Sequence, residues 1–133
     1  MAWMLDTHTL IWALFEPKKL GRRTRAILVD PVNQVFVSPI SYWEISLKAG
    51  IGKLVLPSTE PDEIPAAAAR LGLTDAPLPP EVLASFHRLP RAPDHRDPFD
   101  RLLIWHCIVG RITLLSQDRS LPFYQTHGLS FEW

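Results

Sequence analysis

Prolines cut this chain into short apolar runs and helix-length segments that alternate from one end to the other, and that alternation restricts the fold more than any other feature. The thirteen prolines stand at segment boundaries, where a fixed φ and a missing N–H punctuate regular structure. Trp3 to Leu5 reads as a short buried strand, followed by a helix over Thr7 to Phe15 that stops before Pro17. A second helix is expected over Arg22 to Asp30, then a strand over Gln34 to Ser38 bounded by Pro31 and Pro39. The next helix, Ile40 to Gly50, closes at Gly50 or Gly52. Further helices are expected over Pro61 to Gly72 and Pro80 to Leu89, with a short strand around Pro77 to Pro79 between them. Phe99 to Gly110 is apolar almost all round, so that helix calls for burial on more than one side. Arg111 to Ser116 is a strand, and Leu129 to Trp133 supplies the last.

Short, continuously apolar strands alternating with helices imply a parallel sheet covered on both faces. The expected class is α/β: one domain, a three-layer α/β/α sandwich with a mainly parallel central sheet. In such sheets ligands gather beyond the carboxyl ends of the strands.

No apolar run reaches the ~18 residues needed to cross a bilayer, and no basic stretch plus apolar core marks a signal peptide. The one cysteine, Cys107, lies inside an apolar run and cannot form an intramolecular disulfide, which fits a reducing cytoplasm. Fourteen basic and fourteen acidic side chains cancel, which excludes broad electrostatic attraction to a polyanion but not a local patch. Lys18, Lys19, Arg22, Arg23 and Arg25 form such a patch, which reads first as a solvated helix start.

The acids carry the chemistry. "DHRDPFD" places three carboxylates within seven residues, directly before "RLLIWHCIVG". Asp97-Pro98 has the form of an N-cap followed by proline at the first helical position. Asp100 then falls in the first turn, where the helix dipole favours an anion, and Asp94 sits in the preceding loop, solvated. Asp6 follows the first strand and is placed to cap the helix at Thr7. Asp118 follows "RITLLS" by two residues and is placed to cap a short turn before Pro122. Glu44 lies well inside its helix, on a stripe with Ile40, Leu47 and Ile51, where a carboxylate needs a partner. Lys48, four residues on, offers a pairing worth only about 0.3–0.5 kcal/mol.

Each capping role is adequate alone, yet Asp6, Asp100 and Asp118 all flank the expected carboxyl edge of one sheet. If they converge with Glu44, two carboxylates ~4 Å apart repel by ~4 kcal/mol at an effective dielectric of about 20. Protons or a divalent cation must relieve that, and an oxygen-only donor set suits Mg2+ or Mn2+ rather than zinc. The five histidines lack metal-ligand spacing and read as surface or core residues. Trp12, Trp43 and Trp105 read as core. No phosphate-cradling glycine loop or G-x-S-x-G motif is present.

The blocks "MLDTHTLIWAL", "VSPISYWEISLKAGIGKLVLP", "HRDPFDRLLIWHC" and "LLSQD" resemble, in order and over nearly the whole chain, those of PIN domains, closest to VapC-type toxins of prokaryotic toxin–antitoxin pairs. The resemblance implies an acidic quartet at Asp6, Glu44, Asp100 and Asp118, with Asp97 as a supporting acid and Ser116 as the small hydroxyl residue that helps hold the site. It implies cleavage of RNA with Mg2+ or Mn2+, a homodimer, and a cognate antitoxin that threads a segment into the acidic groove. In that setting Lys18, Lys19, Arg22, Arg23 and Arg101 would offset repulsion between the groove and the RNA. The chain departs from the pattern at Trp105-His106-Cys107, where relatives commonly carry small residues, and this bears on how that helix packs. Two other readings stay open: a metal-dependent phosphohydrolase of small substrates, and a silent module that only binds RNA or protein.

Overall fold

The computed structural model describes residues 1–133. Five strands, β1 (Ala2–Leu5), β2 (Gln34–Val37), β3 (Thr74–Asp75), β4 (Thr113–Leu115) and β5 (Phe131–Glu132), form one sheet in the order β3-β2-β1-β4-β5. Every pairing is parallel. The helices are α1 (Thr7–Phe15), α2 (Arg22–Val29), α3 (Pro39–Gly50), α4 (Ile64–Arg70), α5 (Pro80–Ala84), α6 (Pro98–Gly110) and α7 (Leu121–Gln125), with 3-10 turns at Pro17–Lys19, Pro61–Glu63 and Phe86–Arg88. No helix is long and apolar enough to cross a membrane.

The period-2 alternation of a strand divides the core into two halves. Trp3, Leu5, Val35, Val37 and Leu115 pack with Leu10, Ile27, Ile45 and Ile64 on one face. Met4 and Leu114 pack with Leu103, Ile104, Cys107, Leu121 and Tyr124 on the other. This is the expected three-layer α/β/α sandwich. Each fully buried aliphatic side chain contributes roughly 1.5–3 kcal/mol, so both layers are held by apolar burial.

Strand β1 lies at the centre, with Leu5 paired to Val37 on one side and to Leu115 on the other. The chain builds outwards from β1 through β2 to β3, then returns to lay β4 and β5 on the opposite side. The reversal opens a crevice between the carboxyl ends of β1 and β4, the place where open α/β sheets bind ligands.

Some elements differ from the sequence expectation. The third strand is Thr74–Asp75, not Pro77 to Pro79. Prolines have no N–H for a ladder, and the last bond on that edge comes from the Ala76 N–H to the Val37 carbonyl, at 2.8 Å. The helix expected over Pro80 to Leu89 ends at Ala84, where the Ser85 hydroxyl donates back to the Glu81 carbonyl at 2.6 Å and the chain tightens into a 3-10 turn.

Of the three tryptophans expected in the core, Trp105 packs against it, whereas Trp12 and Trp43 do not. Trp43 is 59% exposed and packs edge-on against Phe99 at 4.9 Å, while Trp12 and Trp105 are half-buried. On α3 the buried face is Ile40, Ser41, Glu44 and Ile45, leaving Leu47 and Ile51 exposed.

The unusual Trp105-His106-Cys107 segment ties α6 down. Trp105 Nε1 donates to the Ser85 hydroxyl at 3.0 Å. His106 Nε2 lies 2.8 Å from the Pro77 carbonyl, which can only accept, so Nε2 carries the proton and Nδ1 accepts from Ser38 Oγ at 3.0 Å. Burial holds His106 below its ordinary pKa, in keeping with this neutral role. Burial likewise pushes the Cys107 thiol up, leaving it an unreactive core residue.

Candidate metal centre

Each aspartate reaches the crevice because a helix or turn starts there. Asp6 follows β1 and caps α1, with Oδ1 accepting from the Thr9 N–H and the Thr9 hydroxyl, both at 2.7 Å. Thr9 is itself anchored to the Leu115 carbonyl at 2.9 Å, which fixes this corner to β4. Asp97 caps α6 as expected, its Oδ1 accepting from the N–H groups of Phe99 at 2.9 Å and Asp100 at 3.2 Å. Asp118 Oδ1 accepts from the Ser120 N–H at 2.8 Å, and the Asp118 N–H donates to Ser116 Oγ at 3.1 Å. Asp100, in the first turn of α6, has no capping bond of its own.

These positions bring Asp6, Asp100 and Asp118 to the wall of one cleft of about 520 Å³, with His8, Trp12, Gln117 and Arg119 around them. Asp100 is the hub. Its carboxylate groups with Glu44 and Asp97 on one side and with His95 and Asp118 on the other, the donor atoms of each trio lying within 4.8 Å of one another. Glu44, 2% exposed, faces the adjoining hollow beside Thr7, His8 and Lys48. Asp94 stays at the surface.

The electrostatics follow from this crowding. Burial first, then the charges of Asp97, Glu44, Asp118 and Asp6, raise the Asp100 carboxyl to about 7. Burial also raises Asp6, against the lowering effect of hydrogen bonds from Ser116 and Thr9. Burial alone would lower Lys48, yet its hydrogen bond to Glu44 and the charges of Glu44, Asp97 and Asp100 hold it above the ordinary lysine range. Lys48 bonds directly to Glu44 Oε2 and lies 3.7 Å from Asp97 Oδ2. It thus serves as an internal cation for the Glu44–Asp97 side of the cluster.

No lysine or arginine forms an ion pair with the other half. The imidazole of His95 stands there instead, its Nε2 3.8 Å from both Asp100 Oδ2 and Asp118 Oδ2 and buried without a hydrogen-bond partner. An orphaned nitrogen among crowded carboxylates fits a bound divalent cation. Asp100 and Asp118, with Asp6 on the same wall and Glu44 and Asp97 behind Lys48, are the residues that could hold it.

The cationic candidates fare differently. Lys19 pairs with Glu16 at 2.6 Å and stands 5.8 Å from the centroid of the Trp12 ring, which lines the cleft. Lys18 and Arg22 are exposed, and Arg23 stacks on Trp3 at 5.7 Å. Arg101 turns away, with Nη2 donating to the Leu89 carbonyl at 3.3 Å and the guanidinium over Phe86 at 5.0 Å. The cleft holds Arg119, and the adjoining hollow holds Lys48 and Lys53. None of the three was singled out from the sequence as a site residue. For Lys48 the i,i+4 spacing to Glu44 was the available signal.

The fold recurs in solved structures. The VapBC2 complex of Rickettsia felis bound to a DNA fragment from its promoter contains a chain with a TM-score of 0.64 and 17% identity, over 99% of this chain and 98% of that one. VapBC-1 of nontypeable Haemophilus influenzae gives 0.64 and 17%, over 99% and 97%. DNA-bound VapBC of Salmonella typhimurium gives 0.57 and 19%, over 99% and 97%. At such identities the likeness establishes a shared fold. No curated protein matches the sequence. The sequence profile of the PIN domain matches residues 3–128, a span that contains every acid of the crevice, and this chain therefore belongs to the PIN domain family.

Proposed function

We propose that the protein is a divalent-cation-dependent endoribonuclease of the VapC type, the toxin of a toxin–antitoxin pair. The reading rests on one observation above all: Asp6, Asp100 and Asp118 share a cleft at the carboxyl ends of β1 and β4, crowded enough to raise Asp100 to about 7. The likeness to chains of VapBC complexes supports the antitoxin partner, and family membership supports the nuclease activity. A homodimer and a cytoplasmic location belong to the same reading.

In this scheme Mg2+ or Mn2+ would be held by Asp100 and Asp118 with Asp6, while Glu44 and Asp97 act through Lys48. When bound, the cation neutralises charge on the scissile phosphate and makes a water more acidic. The chain's own residues do the rest. Asp6 and Asp118 each have one oxygen pinned by local hydrogen bonds, so the other is aimed without rotamer search. Ser116 fixes the backbone at Asp118. Asp100, whose carboxyl is raised to about 7 by burial and its acidic neighbours, would have to give up its proton to hold the cation. Arg119 on the cleft wall and Lys19 next to Trp12 meet the incoming polyanion; Lys18, Arg22, Arg23 and Arg101 contribute only a more distant field.

The test is cleavage of a single-stranded RNA by wild type, Asp6→Ala and Asp100→Asn, each with Mg2+ and with EDTA. Loss of a charge-stabilising group is expected to slow cleavage by about a hundredfold or more. Equal cleavage by all samples would identify a contaminant and overturn the proposal.

A further inference from the structure

One ring nitrogen beside the crevice has no partner in its own packing. His95 is 9% exposed, and its Nδ1 lies 2.6 Å from the hydroxyl of the fully buried Tyr124. Tyr124 also packs against the imidazole at 5.4 Å with the planes inclined at 67°, so the ring is held in place. Its other nitrogen, Nε2, is buried and unpartnered. The two nearest acceptors, Asp100 Oδ2 and Asp118 Oδ2, both stand at 3.8 Å, beyond hydrogen-bond reach. A buried polar atom left unmet is unfavourable, so a rigidly aimed, unmet nitrogen calls for an occupant.

We infer that His95 Nε2, Asp100 Oδ2 and Asp118 Oδ2 form a mixed nitrogen–oxygen seat for one divalent cation, and that His95 makes this seat prefer Mn2+ to Mg2+. The inference rests on the metal-dependent reading above and narrows it to a donor set and an ion. Two coordination bonds of about 2.1 Å span at most about 4.2 Å, so one ion can touch Nε2 and either oxygen across the observed gaps. The liganding tautomer donates its Nδ1 proton to Tyr124 Oη and leaves the Nε2 lone pair for the ion, the usual division of labour in a metal-bound imidazole. Imidazole nitrogen suits transition-metal dications, whereas Mg2+ keeps to oxygen donors. The neighbouring trio of Glu44, Asp97 and Asp100 does not compete for the same role, because Lys48 already stands between Glu44 and Asp97.

The experiment titrates metal-free protein with Mn2+ and with Mg2+ by calorimetry, and records pulsed electron paramagnetic resonance of the bound Mn2+. Wild type is expected to show nitrogen-14 modulation from a directly bonded imidazole. In His95→Gln that modulation disappears, Mn2+ affinity falls about tenfold or more, and Mg2+ affinity changes by less than about threefold. The wild-type spectrum decides the question even if the variant folds poorly. Mn2+ bound with no nitrogen modulation would overturn the role of His95 and leave the acidic site standing. No uptake of either ion by wild type would overturn both.

Discussion

Asp97 gives Oδ1 to the N–H groups of Phe99 and Asp100 and turns Oδ2 towards Lys48; Asp118 gives Oδ1 to Ser120 and turns Oδ2 towards His95. A carboxylate has two oxygens, so capping a helix and facing a shared crevice are not rival occupations. The capping half of each role was legible from residue type and position alone. The converging half was legible only as a coincidence of three acids at one sheet edge. His95 was not legible at all, because its hydrogen-bond partner lies 29 residues away and no spacing rule connects them. At this scale the proton on Asp100 gives a pH signature. Its folded pKa of about 7 exceeds the ordinary 3.8, so the metal-free folded state holds that proton more tightly than the unfolded chain. The stabilisation is complete below about 4 and is lost as pH rises through about 7. Thermal melts in EDTA should therefore show falling stability from pH 5 to 8, and Asp100→Asn should flatten that slope and melt higher than wild type at pH 8.

Helices α3 and α6 meet through a charge clamp and a polar knot, and these contacts position Glu44, Asp97 and Asp100. Removing the ammonium in Lys48→Met leaves Glu44 buried beside two other acids. Loss of one partner from a buried pair is strongly destabilising, here on the order of 3 kcal/mol in a urea titration with EDTA present, with part of the loss restored by Mn2+. His106→Ala strands the Ser38 hydroxyl and the Pro77 carbonyl, and should cost about 2–4 kcal/mol by the same measurement without changing metal affinity. Element identities were readable where apolar runs were continuous or opened by a proline, as for β1, β2, α3 and α6. They failed where local chemistry decided the outcome. The two-residue β3 is exposed and carries no apolar signal, and α5 stops at a serine hydroxyl that no periodicity reveals. Trp43 was expected inside, yet the helix buries its glutamate instead, because Lys48 and the crevice give that carboxylate its partners.

Across the whole molecule, zero net charge conceals a strongly acidic crevice. A divalent cation that binds only the folded state should raise the melting temperature, with about 2.7 kcal/mol gained at a hundredfold excess over Kd. That shift should be larger at pH 8 than at pH 5, since at the lower pH the ion must displace the proton from Asp100. A pH-independent shift in differential scanning fluorimetry would place the ion elsewhere. The class, layers and crevice followed from alternation and from the rule for parallel sheets; the strand order did not, because pairing partners are set by long-range packing. That order has a consequence for how the protein comes into being. Asp6 is synthesised more than ninety residues before its neighbours Asp100 and Asp118, and they meet only once Leu5 and Leu115 lie side by side. A nascent chain released before β4 therefore contains no assembled crevice.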